Sequence, residues 1–153
     1  MTMPHHVSML DFARTGTLGP ITIGMSRERL RVTVGPPDDW AAGGTMSRAG
    51  VWLYGNIEVH FADDEVFLVH SDTFETPTFN RELILDSWII RAGLGLAELE
   101  AGLRDADVIF ETDAYHFEAY AVKVTTAAGL AFFVKTQADE GDDLRGLWAF
   151  NRT

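Results

Sequence analysis

The side chains in this sequence best suited to chemistry are five histidines, His5, His6, His60, His70 and His116. His60 and His70 fall in two neighbouring strand-like runs, "IEVHF" (57–61) and "EVFLVHS" (65–71), and Glu58 stands two residues before His60. Imidazole nitrogens and carboxylate oxygens are the usual ligands of zinc and related ions, so it matters whether these three side chains meet. The turn at Asp63-Asp64 decides that. A three-residue loop puts Glu58, His60 and His70 on one face, where they can approach a metal, whereas a two-residue loop separates His60 from His70. The plainer reading makes both histidines polar partners in an apolar alternation, and no metal site is assigned. His5 and His6 lie in a start expected to be disordered, where any metal binding would be adventitious.

Other chemistries find less support. There is no cysteine, which excludes thiol nucleophiles and disulfides and fits a reducing compartment. No G-x-S-x-G elbow occurs. Ser71 and Asp72 follow His70 in the chain, but sequence neighbours say nothing about a triad in space. Turn chemistry accounts for Asp63, Asp64, Glu111 and Asp113. The acidic stretch "ADEGDD" (138–143) lacks the alternating ligands and final glutamate of a calcium loop. "GLGLAELEAG" is no dinucleotide fingerprint, having no G-x-G-x-x-G and no βαβ context. No catalytic residue and no cofactor are assigned, and a non-enzymatic protein is expected.

The elements that must position these side chains are more legible. In "GMSRERLRVTVGPP" (24–37), Ser26 is a helix N-cap and Met25 with Leu30 can form a hydrophobic staple. Leu30 and Val34 lie one turn apart, Gly35 supplies a left-handed stop, and Pro36-Pro37 forbid continuation. A second stretch, "GLGLAELEAGLRD" (93–105), repeats this spacing: Gly24, Met25, Leu30 and Val34 correspond to Gly93, Leu94, Leu99 and Leu103. The offset is 93 − 24 = 69 throughout, with Gly95 in place of Ser26. An apolar run precedes each helix, "ITI" (21–23) and "SWIIRA" (87–92).

Strand-like runs follow each. "VWLY" (51–54) passes through the hairpin signal Gly55-Asn56 into "IEVHF", then "EVFLVHS". The second half offers "DVIFET" (107–112), "EAYAVKVT" (118–125), "LAFFVKT" (130–136) and "DLRGLWAF" (143–150). The spacing predicts an α+β fold of one domain over 1–153. Two tandem helix–β-meander units, about 18–75 and 83–150, form one antiparallel sheet with helices on one face. Residues 71–82, "SDTFETPTFNRE", read as the connector. Neither unit alone buries a sheet face easily, whereas two side by side do.

A short strand entering "GMS", then "VGPPDDW", then a hairpin meander resembles the unit of the beta-lactamase-inhibitor-protein-like fold. It is also similar to the repeat of small outer-membrane-assembly lipoproteins carrying "G-M-T/S … L-G-x-P". Gly24, Met25, Ser26, Gly35, Pro36 and Pro37 carry the resemblance, with Trp52, Tyr54, Gly55 and Phe61 downstream, and the tandem form covers about residues 18–150. The second copy lacks the Gly-Pro-Pro stop. The signal peptide and disulfides of the inhibitors and the lipidated cysteine of the lipoproteins have no counterpart here, so neither family's activity is carried over. The resemblance implies a fold that usually binds other proteins.

Charge points the same way. Twelve Lys and Arg against 23 Asp and Glu leave a formal net charge of −11 over 153 residues. Such a field repels nucleic acid and anionic membranes and draws in a basic protein, although it also serves plain solubility. No basic start precedes an apolar run and no stretch nears about 18 apolar residues, so neither signal peptide nor membrane span is expected, and the default location is the cytoplasm. Of the aromatics, Trp40, Trp52, Trp88, Trp148, Tyr54, Tyr115 and Tyr120, most are expected in the core, Trp88 included. Strand alternation assigns Glu58, His60, Lys123, Lys135 and Arg145 to the sheet face away from the helices; Trp148 is counted with this set, the core being its alternative place. The expectation is a cytoplasmic inhibitor or immunity-type protein, monomer or homodimer, that binds a basic protein on this face. The alternative is a small-ligand-binding domain or cryptic enzyme with a pocket between sheet and helices.

Overall fold

The computed structural model describes residues 4–72, 82–138 and 144–153. In chain order the elements are β1 (His5–Ser8), α1 (Met9–Thr15), α2 (Arg27–Thr33), β2 (Asp39–Ala41), β3 (Val51–Tyr54), β4 (Ile57–Ala62), β5 (Glu65–Ser71), β6 (Leu83–Asp86), α3 (Leu96–Asp105), β7 (Phe110–Ala114), β8 (Ala121–Thr126), β9 (Leu130–Lys135) and β10 (Gly146–Arg152). The fold is α+β. Eight strands form one antiparallel sheet in the order β2-β3-β4-β5-β10-β9-β8-β7, and β1 pairs with β6 in a separate parallel ribbon.

Local chemistry sets the helices. Ser26 Oγ accepts from Arg29 N at 3.0 Å and opens α2. Gly35, at φ 113°, turns the chain out after Val34. Gly95 opens α3 with no side-chain cap. Burial then selects the faces: Phe12 of α1, Leu30 of α2 and Leu99 and Leu103 of α3 lie in one core cluster with Trp52, Val59, Val69, Phe132 and Phe150 of the sheet. All three helices thus pack on the same sheet face. Ile57, Val59 and Phe61 of β4 are buried while Glu58 and His60 between them are not, the alternation of a sheet apolar on one side.

Two-residue turns join β3 to β4 and β4 to β5. Gly55 takes φ 60° before Asn56, and Asp63 and Asp64 both take positive φ, as tight hairpin loops require. Arg27 braces the second of these turns. Its Nε is 3.0 Å from Asp64 Oδ1, its Nη1 donates to Ala49 O at 2.6 Å, and its guanidinium lies 4.1 Å from the Phe61 ring centroid. Asp64 is largely exposed, so the packed stem and the bond to Ala49 matter more than the ion pair.

Several expectations need correction. The segment that holds His5 and His6 is ordered as β1: Val7, Met9 and Phe12 are buried, and the His5 ring nitrogen lies 2.8 Å from Thr33 O. Three buried apolar side chains and a strand partner in β6 outweigh the chain entropy that led to the expectation of disorder. "ITI" forms no strand but a single bridge between Leu18 and Ile21. "SWIIRA" is a run of turns, in which Trp88 has φ 54° and is half-buried rather than core. A three-residue edge strand, β2, went unpredicted because its residues are all exposed. Residues 73–81 of the expected connector and 139–143 of the acidic turn lie outside the described residues. No helix among the described residues is long and apolar enough to cross a membrane.

Tyr54 carries a pH prediction. It is fully buried, and its hydroxyl donates to Gly35 O at 2.9 Å. Burial, then the nearby carboxylates of Glu82 and Asp38, raises its ionisation well above the ordinary phenol value. The unfolded chain therefore loses this proton near pH 10 while the folded chain keeps it. The contribution to stability is complete below about pH 10 and falls by up to about 1.4 kcal/mol per pH unit above it. Urea melts between pH 8 and 11 should show this slope in the native chain. In Tyr54→Phe the slope should be reduced, with a loss of about 1 kcal/mol at neutral pH from the missing hydrogen bond. Parallel curves for the two proteins would refute the assignment.

Candidate functional site

Strand register identifies the side chains on the second sheet face. Opposite residues in an antiparallel pair point the same way, and Leu53↔Glu58↔His70↔Asn151↔Ala131↔Thr125 runs across β3, β4, β5, β10, β9 and β8. A parallel row contains Ala149, Phe133, Lys123 and Asp113. No helix among the described residues packs on this side. The face has two unlike halves.

On the first half stand Glu58, His60 and His70, with Asp72 just beyond β5. Their common face does not come from a three-residue loop: the loop Asp63-Asp64 has two residues. A β-bulge restores the phase. Val66 pairs with Phe61 and Leu68 with His60, leaving Phe67 as the extra residue. His60 Nε2 lies 3.1 Å from Glu58 Oε1 and His70 Nε2 lies 3.8 Å from Asp72 Oδ2. The His60 ring stands edge-on to Phe67, with centroids 6.1 Å apart. One ligand atom each from Glu58, His70 and Asp72 fall within 4.8 Å of one another.

The second half is aromatic. Phe133, Ala131 and Ala149 form a small cluster with Tyr115 and Trp148. Trp148 occupies a second bulge, between Leu147 and Ala149, which puts it on this face beside Phe133, at 5.9 Å between ring centroids. The turn after β7 folds back over the face: Tyr115 meets Phe133 edge-on at 4.9 Å, and Glu118 lies 3.5 Å from Lys135 Nζ. Phe117, tilted against Tyr115 at 5.4 Å between ring centroids, is 87% exposed. Lys135, by contrast, is only 4% exposed.

The six residues assigned from sequence therefore divide. Glu58 and His60 belong to the polar half. Trp148, Lys135 and Lys123 belong to the aromatic half, three strand spacings or about 14 Å away between β4 and β9. Arg145 precedes β10 and lines a groove of about 390 Å³ with Lys135, Glu100, Leu96 and Gly93. Lys135 is tied to Glu118 and buried, so it serves packing of the turn more than an outward contact. Sequence reading did not place Tyr115, Phe117 and Phe133 on this face. "LAFFVK" held a signal: adjacent phenylalanines in a strand must point to opposite faces, so an apolar surface on both sides was implied. Comparison of the chain with protein-family models, curated proteins and solved structures finds no match in any of the three.

Proposed function

We propose that this chain is a non-enzymatic protein-binding domain of the cytoplasm, acting as an inhibitor or immunity-type partner of a basic protein. The observation that carries the reading is the aromatic half of the second sheet face, where Phe117 stands 87% exposed against Tyr115, which in turn meets Trp148. Exposed aromatics of this kind supply most of the energy in protein interfaces. The surrounding charge favours a cationic partner, with Glu111, Asp113 and Glu118 exposed around the cluster and −11 on the whole chain.

A twice-used unit would suit this role, because it builds a broad continuous face. Its support is that α2 precedes β2–β5, α3 precedes β7–β10, and the sheet order runs outward in the same sequence from the β5–β10 junction. The caps Ser26 and Gly95 stand 95 − 26 = 69 residues apart. Gly24 N donates to Val66 O and Gly93 N to Leu147 O, an equivalent tie at the entry to each helix. These features favour the resemblance to the beta-lactamase-inhibitor-protein-like fold. The groove beside Arg145 keeps a small ligand as the second reading, since Leu96, Glu100 and Arg145 line it between α3 and the sheet.

The test is capture from native lysate in moderate salt, by the native chain and by Phe117→Ala. A basic protein held stoichiometrically by the native chain and about tenfold more weakly by the variant is the expected result. Equal retention by both, or loss of all captured protein in moderate salt, would remove this reading.

A further inference from the structure

We propose that Glu58, His70 and Asp72 bind one divalent transition-metal ion of the zinc class, with His60 holding Glu58 in place. Their ligand atoms already lie within 4.8 Å of one another, and His70 Nε2 is 3.8 Å from Asp72 Oδ2. Metal–ligand bonds of about 2.0–2.1 Å in a tetrahedron put neighbouring ligand atoms about 3.3 Å apart. Small rotations of surface side chains close that difference. The backbone does the larger share: the bulge at Phe67 brings His70 opposite Glu58 on the same face, and these two are direct cross-strand partners.

The donor set selects the ion. Imidazole nitrogen with carboxylates suits zinc, cobalt or nickel, whereas magnesium and calcium prefer oxygen alone. Two carboxylates balance the dication. His60 Nε2, 3.1 Å from Glu58 Oε1, plays the outer part commonly found behind a ligating carboxylate. Glu58, His60 and His70 side chains are each about a quarter exposed and Asp72 more than half, so an ion has a path in. Three protein ligands leave a fourth position for water or for a partner's side chain. This inference is independent of the protein-binding reading and uses the other half of the face.

Calorimetric titration of the full chain with zinc chloride, and absorption titration with cobalt chloride, test it. One equivalent should bind, with visible bands of cobalt in a nitrogen–oxygen site and a raised melting temperature. His70→Ala should weaken binding at least a hundredfold, and His60→Ala about tenfold. His6→Ala, at the exposed N-terminal histidine, should change nothing. Glu58→Gln keeps the shape of the surface and serves as a second loss-of-ligand variant if His70→Ala folds poorly. Binding absent at millimolar metal, or unchanged in both His70→Ala and Glu58→Gln, would overturn the proposal.

Discussion

Replacing Phe150 by alanine is expected to cost about 3–5 kcal/mol of folding stability, the range for deleting a buried aromatic ring. Phe150 is 1% exposed and sits where three elements meet. Its ring stands edge-on to Phe12 of α1 at 6.0 Å and to Phe132 of β9 at 6.5 Å. Across the strand its partner is Ser71 of β5, at the junction joining the two halves of the sheet. A cavity there cannot collapse without moving a helix and two strands, so the loss should fall near the upper end. Domains of this size have about 5–15 kcal/mol in total, and the variant should unfold well below the native midpoint in urea. Phe117→Ala, on an exposed ring, should shift the midpoint little. A loss below about 1.5 kcal/mol for Phe150→Ala would mean that the two halves do not depend on this contact.

Gly146→Ala is expected to cost about 3 kcal/mol or more, although it adds a single methyl group. Gly146 has φ 76°, and a Cβ there would lie 2.3 Å from Gly93 O and 2.4 Å from Gly93 C. Those atoms are backbone and cannot swing aside. Left-handed conformation costs a residue with a Cβ about 1–2 kcal/mol. Relief of the clash would also stretch the pair of bonds from Leu147 N to Leu94 O and from Gly93 N to Leu147 O, each worth about 1 kcal/mol. Gly24→Ala separates the two effects. Gly24 has φ 91° but nothing within 4 Å of a built Cβ, so only the conformational cost of about 1–2 kcal/mol applies. Urea melts of both variants measure the difference, and equal losses would show that the contact with Gly93 is not limiting.

The two glycines also mark how far a sequence can be read. Gly24 precedes a capped helix and is recognisable as punctuation from its neighbours. Nothing near Gly146 in "DLRGLWAF" shows that the backbone of Gly93, 53 residues earlier by 146 − 93, will press against it. The histidine pair makes the same point. His60 and His70 were recognisable as possible ligands from type and spacing, but their faces depended on the loop, and the loop alone gives the wrong answer. The bulge at Phe67 reverses it. A bulge leaves no clear mark in an apolar alternation that is already irregular, as "EVFLVHS" is. The Trp148 bulge hid in the same way, inside a run whose apolar residues point to both sides.

What the sequence by itself determined is local. Ser26 caps α2 because its hydroxyl reaches an amide three residues on. Gly55-Asn56 and Asp63-Asp64 close hairpins because their backbones tolerate positive φ or start a tight turn. Leu30, Leu99 and Leu103 face inward because helical spacing aligns them on one stripe. Such interactions span a few residues, so composition and period suffice to predict them. Only the tertiary structure decided that β5 joins β10, that the N-terminal strand finds β6, and that Tyr115 folds back onto Phe133 to make an aromatic half-face. Each of these pairs segments far apart in the chain. Which distant surfaces meet depends on how much apolar area the whole molecule can bury at once, and no short stretch encodes that sum.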